Sequence, residues 1–197
     1  MQKPFAPSCD ENRDAILQCI KLLFTEPASL LEIGSGTGQH AVYFAAQLTH
    51  LKWQPSDLAD QIEGMNLWFK DAAIAQILPP KILDVSEDIW LDESIAYIFT
   101  ANTTHIMSWQ KVQQMFAGIG RTLKQGGLFA QYGPFNYAGE FTSKSNASFD
   151  QWLKNRDPQS GIRNFEDIYI EAKKNGLMLH SDHEMPANNR ILVWQKM

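Results

Sequence analysis

The stretch Leu30-Leu31-Glu32-Ile33-Gly34-Ser35-Gly36-Thr37-Gly38 constrains this chain more than any other. An apolar run without helical period ends in glycines at every second position. Ala41, Val42, Phe44, Ala45 and Leu48 then recur at helical spacing. The pattern predicts a strand over about 30–33, a tight turn, and a helix over about 38–48. Glycine has no Cβ, so such a turn can take positive φ and bring its backbone against a ligand. In open α/β sheets a turn of this kind, at the carboxyl end of a central strand, is where nucleotides bind. A dinucleotide loop, G-x-G-x-x-G, would place its third glycine at position 39; Gln39 stands there, and Gly38 comes one place early. A nicotinamide oxidoreductase is disfavoured by that spacing.

The remainder alternates between strand and helix patterns. Ser8 and Glu11 read as a capping box ahead of Ile16, Leu17, Ile20, Leu23 and Phe24, with the helix ending near Pro27. Strands are expected over 51–57, 81–85, 95–101 and 128–132, and a helix over about 60–76. Ser108 caps a further helix carrying Val112, Met115, Phe116, Ile119 and Leu123, which Gly126 and Gly127 should stop. A helix over 165–174 and closing strands over 177–184 and 190–195 complete the chain. The alternation predicts a doubly wound parallel sheet. The last two strands, joined by a short loop, must be antiparallel.

Composition narrows the classes. At 197 residues, with 44% hydrophobic and 20% charged residues, a single globular domain over 1–197 is expected. A formal charge of −5 supplies no field for a polyanion, so nucleic acid is not an expected partner. Cys9 and Cys19 lie ten apart in one helical region, too far to bridge, and read as reduced thiols of a cytoplasmic protein. No early segment has a signal pattern, and no apolar run approaches the ~20 residues of a membrane span. His180 and His183 would point to opposite faces of a strand, so no metal site is expected.

The string formed by Glu32, Gly34, Gly36 and Gly38, E-x-G-x-G-x-G, resembles the first motif of the Rossmann-like S-adenosylmethionine (SAM) dependent methyltransferases. The resemblance implies that the turn, Ser35 included, wraps the amino-acid end of SAM while Glu32 helps to hold its ammonium group. It also implies a Rossmann-like seven-stranded sheet, mostly parallel with an antiparallel closing hairpin. Asp57 lies 23 residues beyond Gly34, where a ribose-binding acid is expected; an Asx-turn after Pro55 is the competing reading. Asp84 and Val85 end the third strand, where such methyltransferases commonly place an acid near the adenine amino group. Asn102 ends the fourth strand, at the edge facing the transferred methyl in that family. The N/D-P-P-Y/F motif of amide and amino methylation is absent and Asn102-Thr103-Thr104-His105 stands instead, which disfavours adenine and exocyclic-amine DNA methylation.

A closer resemblance covers nearly the whole chain. Glu11-Asn12-Arg13, Trp53-Gln54-Pro55-Ser56-Asp57, Tyr132-Gly133-Pro134-Phe135, Gly161-Ile162-Arg163 and Met185-Pro186-Ala187-Asn188-Asn189 are similar to one small methyltransferase-like group labelled a domain of unknown function. It implies the fold and a SAM site, and no substrate. Residues 133–163 form a long insertion holding Tyr137, Phe141, Phe149 and Trp152, either a lid over a pocket or packing against the sheet. His105 is the candidate general base, its ordinary pKa near 6.5, with a packing role as the alternative. Tyr132 and Asn146 are the candidates to orient an acceptor. The expectation is a SAM-dependent methyltransferase acting on a small molecule, its acceptor atom (O, N or S) unspecified. The alternative is a SAM-binding regulatory module that transfers nothing.

Overall fold

The computed structural model describes residues 2–91 and 94–197. Helix α1 (Pro7–Leu23) begins on a proline, whose fixed φ and missing N–H suit a first helical position. Ser8 therefore lies inside the helix, no side chain caps Ala6, and the expected capping box does not form. Strand β1 (Ala28–Ile33) leads through the glycine turn to α2 (Gln39–Gln47), followed by β2 (Leu51–Asp57), α3 (Ile62–Ala72) and β3 (Lys81–Ile82). Then come β4 (Ile95–Ala101), α4 (Trp109–Thr122), β5 (Leu123–Gly133), β6 (Phe135–Asn136), α5 (Lys144–Arg156) and β7 (Arg163–Asn164). Helix α6 (Phe165–Lys174), β8 (Leu177–Met185), a short 3-10 turn and β9 (Asn189–Lys196) close the chain.

Ser108 caps α4 by accepting the Lys111 amide at 3.2 Å. The expected glycine stop differs. Helix α4 ends at Thr122 and runs straight into β5, so Gly126, at φ 77°, lies inside a strand. The β4–β5 pairing shifts register there, between Ile95 and Tyr97. Strand β3 is shorter than expected. It pairs with β2 only at Ser56↔Lys81 and Asp57↔Ile82, because Asp84 turns away to bind Ser86.

Seven strands form one sheet in the order β3-β2-β1-β4-β5-β9-β8. The pairs from β3 through β5 are parallel, while β9 is antiparallel to both of its neighbours. This is a Rossmann-like doubly wound sheet with an antiparallel closing hairpin. Alternating residues feed two cores. Leu31, Ile33, Ile98, Phe129 and Trp194 pack with Val112, Met115 and Phe116 of α4 on one face. Leu30, Phe99, Ala130 and Val193 pack with Ile16, Ile20 and Phe44 of α1 and α2 on the other. The β6–β7 pair closes the base of the insertion.

Candidate active site

Strand order reverses between β1 and β4, and the glycine turn sits at the carboxyl end of β1. Gly34, Gly36 and Gly38 have φ of 71°, 55° and 84°. A Cβ on Gly38 would come to 2.8 Å from Met65 Cγ, so that glycine lets α3 close on the turn. A Cβ on Gly36 would meet no atom within 4 Å. Gly36 borders a cavity of about 610 Å³, within the range that holds a drug-sized ligand. The turn, Asp57, Leu58, Asp84, Val85, Asn102 and Lys111 contribute to its lining.

Glu32 is buried beneath the turn. Its Oε2 accepts hydrogen bonds from Ser35 Oγ and Trp53 Nε1, both at 2.9 Å. Burial pushes its carboxyl up to about 7, against the effect of those two donors. Glu32 props the turn from below and does not line the cavity, whereas Ser35 does. Asp57 holds the turn from the β2 side: its Oδ2 accepts the Gly36 amide and its Oδ1 the Leu58 amide, each at 2.7 Å. Burial raises its carboxyl above the usual range despite both amides.

Asp84 is treated oppositely. Its Oδ1 takes the Lys111 ammonium at 2.5 Å, the Ser86 hydroxyl at 2.7 Å and the Ser86 amide at 2.9 Å. Lys111 first, then Ser86, hold its carboxyl down at about 2, so it stays anionic. Lys111 is a residue the sequence reading missed. It sits three places after a helix cap, where nothing in the local pattern points into a cavity.

Asn102 has a left-handed backbone, φ 58°, and donates its amide to the Tyr132 carbonyl at 2.9 Å. It lines the first cavity and also a second one of about 580 Å³. Ser8 and Ile106 border both spaces too, so the cavities share a wall beside the strand reversal.

The second cavity brings together His105, Tyr132 and Asn146. His105 is 6% exposed, with its ring edge-on to Phe149 at 5.2 Å. The insertion fixes this loop from behind. Gly161 donates its amide to the His105 carbonyl at 2.9 Å, Ser160 Oγ donates to the Ile106 carbonyl at 3.1 Å, and Arg163 donates to the Met107 carbonyl. Burial, and then the Arg163 charge, bring the imidazole down to about 4, so it is neutral at pH 7. Burial pushes the Tyr132 phenol up to about 12. Asn146 Nδ2 donates to Thr142 Oγ1 at 2.9 Å and to the Asn188 carbonyl at 3.1 Å, tying α5 to the β8–β9 turn.

The insertion divides its aromatics between two tasks. Phe149 and Trp152 line the second cavity. Tyr137 instead packs on the sheet side, stacking on Phe165 at 5.2 Å and donating its hydroxyl to Asp182 Oδ2 at 2.8 Å. Phe141 is exposed.

The start of α1 borders both cavities. Ala6 donates its amide to Gln39 Oε1 at 2.7 Å, and Asn12 Oδ1 accepts from His40 Nε2 at 2.7 Å. With its proton on Nε2, His40 offers Nδ1 to the Cys9 thiol at 3.9 Å. Burial first, then the Arg13 charge, lowers this imidazole to about 4. Among the described residues no group of three or more His, Cys, Asp or Glu side chains could hold a metal ion, and no helix is long and apolar enough to cross a membrane.

A family described as "Protein of unknown function (DUF938)" matches residues 3–196. The chain belongs to that family. Solved structures that share this fold include SAM-dependent methyltransferases. An O-methyltransferase family 2 protein from Planctomyces limnophilus, solved with apigenin, superposes with a TM-score of 0.83 at 11% identity, covering 96% of this chain and 60% of that one. The methyltransferase SibL, solved in its apo form, gives 0.81 at 16% identity, covering 96% and 55%. Human N-acetylserotonin methyltransferase, solved with SAM, gives 0.79 at 14% identity, covering 96% and 52%. The chain thus spans a little over half the length of these structures.

Proposed function

We propose that this protein is a SAM-dependent methyltransferase acting on a small-molecule acceptor. The observation that carries the reading is the pair of cavities meeting at Ser8, Asn102 and Ile106, one bordered by the glycine turn and the other by His105. The first cavity suits SAM. Gly36 leaves room where a Cβ would intrude, Asp57 ends β2 with a carboxylate for the ribose hydroxyls, and Asp84 is an anion beside the apolar Leu83, Val85, Ile106 and Met107. Glu32 and Ser35 hold the turn that would enclose the amino-acid end. When bound, SAM supplies an electrophilic methyl group and leaves as S-adenosylhomocysteine.

The residues of the second cavity position the acceptor. Holding the two reactants in register supplies much of the rate of such a displacement. His105, uncharged at neutral pH, accepts the acceptor's proton, and Tyr132 and Asn146 orient it. A SAM-binding module without transfer is the competing reading. One observation favours it: an imidazole held near pKa 4 is a weak base.

The two are separated by incubating the protein with methyl-labelled SAM and a pool of small polar metabolites containing phenols, amines and thiols. The proposal expects label in a protein-dependent small-molecule product. SAM binding without labelled product in any fraction favours the module.

A further inference from the structure

The second cavity carries one anionic and one cationic side chain, both exposed. Its lining includes Glu11 on α1 and Arg156 at the end of α5. On the same helices Asp10 pairs with Arg13 at 2.6 Å and Asp150 with Lys154 at 2.6 Å, while Asp14 takes a hydrogen bond from the Tyr43 hydroxyl. Among the described residues, Glu11 and Arg156 have no ion-pair partner. One cavity therefore presents an uncommitted anion from one wall and an uncommitted cation from another.

Between the interior and the mouth runs a ladder of rings. The His105 and Phe149 rings meet in a T-shaped pair, Phe149 stacks on Trp152 at 5.8 Å and 15°, and the Arg156 guanidinium lies over Trp152 at 5.0 Å. Exposure rises along it, from 6% at His105 to 52% at Trp152. Phe149 and Trp152 both line the cavity, so a flat ring can lie against them, and a polar group on it reaches His105 at the inner end. A ligand of one charge would satisfy one wall and bring its charge up to a like charge on the other. A ligand carrying both charges matches both walls.

We infer that the acceptor is a small aromatic zwitterion, its ring against Phe149 and Trp152, its ammonium toward Glu11 and its carboxylate toward Arg156. Calling it the acceptor rests on the proposed methyl transfer; the recognition itself does not.

The test is calorimetric titration with L-tyrosine, tyramine, 3-(4-hydroxyphenyl)propanoate and 4-methylphenol, on protein with and without S-adenosylhomocysteine. Tyrosine should bind tightest, by about fivefold over each singly charged analogue, the size expected of partly exposed ion pairs. Glu11→Gln should remove the preference for tyrosine over the propanoate and leave that over tyramine. Arg156→Gln should do the reverse. The inference is overturned if 4-methylphenol binds as tightly as tyrosine, if no member of the set binds, or if neither variant changes the order. Failure of the methyltransferase reading looks different: S-adenosylhomocysteine gives no heat, while the four-compound order is still read on the protein alone.

Discussion

The cavity at the glycine turn and the cavity beneath α5 share a wall, yet they are made from different materials. The first is built by backbone. Three glycines at positive φ, two amides delivered to Asp57 and the turn at Asp84 after β3 shape it, all beside the carboxyl ends of adjacent strands. The second is built by side chains from α1, the loop after β4, α5 and the β8–β9 turn, which are far apart in sequence. Backbone shape of the first kind suits a constant ligand, and an assembly of side chains suits a ligand that distinguishes one protein from another. The difference predicts that substitutions divide cleanly between the cavities.

The largest effect should come from His105→Asn. General base contributions are typically about 100-fold or more, so methyl transfer to an identified acceptor should fall by about that factor. SAM affinity, measured on the same variant, should remain within roughly twofold, since His105 lies outside the first cavity. An unchanged transfer rate would remove the base role, and a matching loss of SAM affinity would break the division itself.

Next come two glycines of the same turn. Gly36→Ala points a methyl into open space, so it should cost about tenfold in SAM affinity and only about 1 kcal/mol of stability from backbone strain. Gly38→Ala adds a collision with Met65 and Phe69, so urea unfolding should show about 2–3 kcal/mol lost. Equal losses in both variants would mean that Gly36 does not face a ligand.

The two cavities also bear on the pH dependence of stability, to which each contributes one buried imidazole. His40 and His105 have folded pKa values of about 4, below the ordinary 6.5. Their contribution is complete above about pH 6.5 and is lost as pH falls toward 4, because unfolding then takes up protons. Glu32, raised to about 7 from 4.5, acts the other way: its contribution is complete below about 4.5 and is lost as pH rises through 7. From these three groups alone, between about pH 4.5 and 6.5, two protons taken up and one released leave a net uptake of one. Asp57, also raised by burial, adds a release toward the lower end of that window. Over the rest of it stability should therefore climb with pH by roughly 1.4 kcal/mol per unit. Glu32→Gln should roughly double that slope, as read by urea unfolding across the range. Identical slopes in the two proteins would contradict the assignment.

The same contrast explains what could be read from the sequence. The strand–turn–helix joint, Asp57 at the end of β2 and the closing hairpin were legible because local pattern alone decides them. Helix α5 was hidden because its buried side is Asn146, Asp150 and Leu153, which leaves no apolar stripe. The role of α1 was hidden as well. Its apolar residues announce a helix, but only the fold brings Ser8, Glu11 and Asn12 to the cavities. The stop after α4 was misplaced because Gly126 and Gly127 serve a strand irregularity, which resembles a helix cap when only neighbours in sequence are visible.

The central claim is that the first cavity is a SAM site held by Asp57. Calorimetric titration of the protein with SAM, S-adenosylhomocysteine and NAD, repeated on Asp57→Ala, tests it most directly. Affinity on the order of micromolar for the first two, none for NAD, and a loss of about tenfold or more in the variant are the predicted results. A folded protein that gives no heat with SAM, or binds it equally well without the Asp57 carboxylate, would contradict the account.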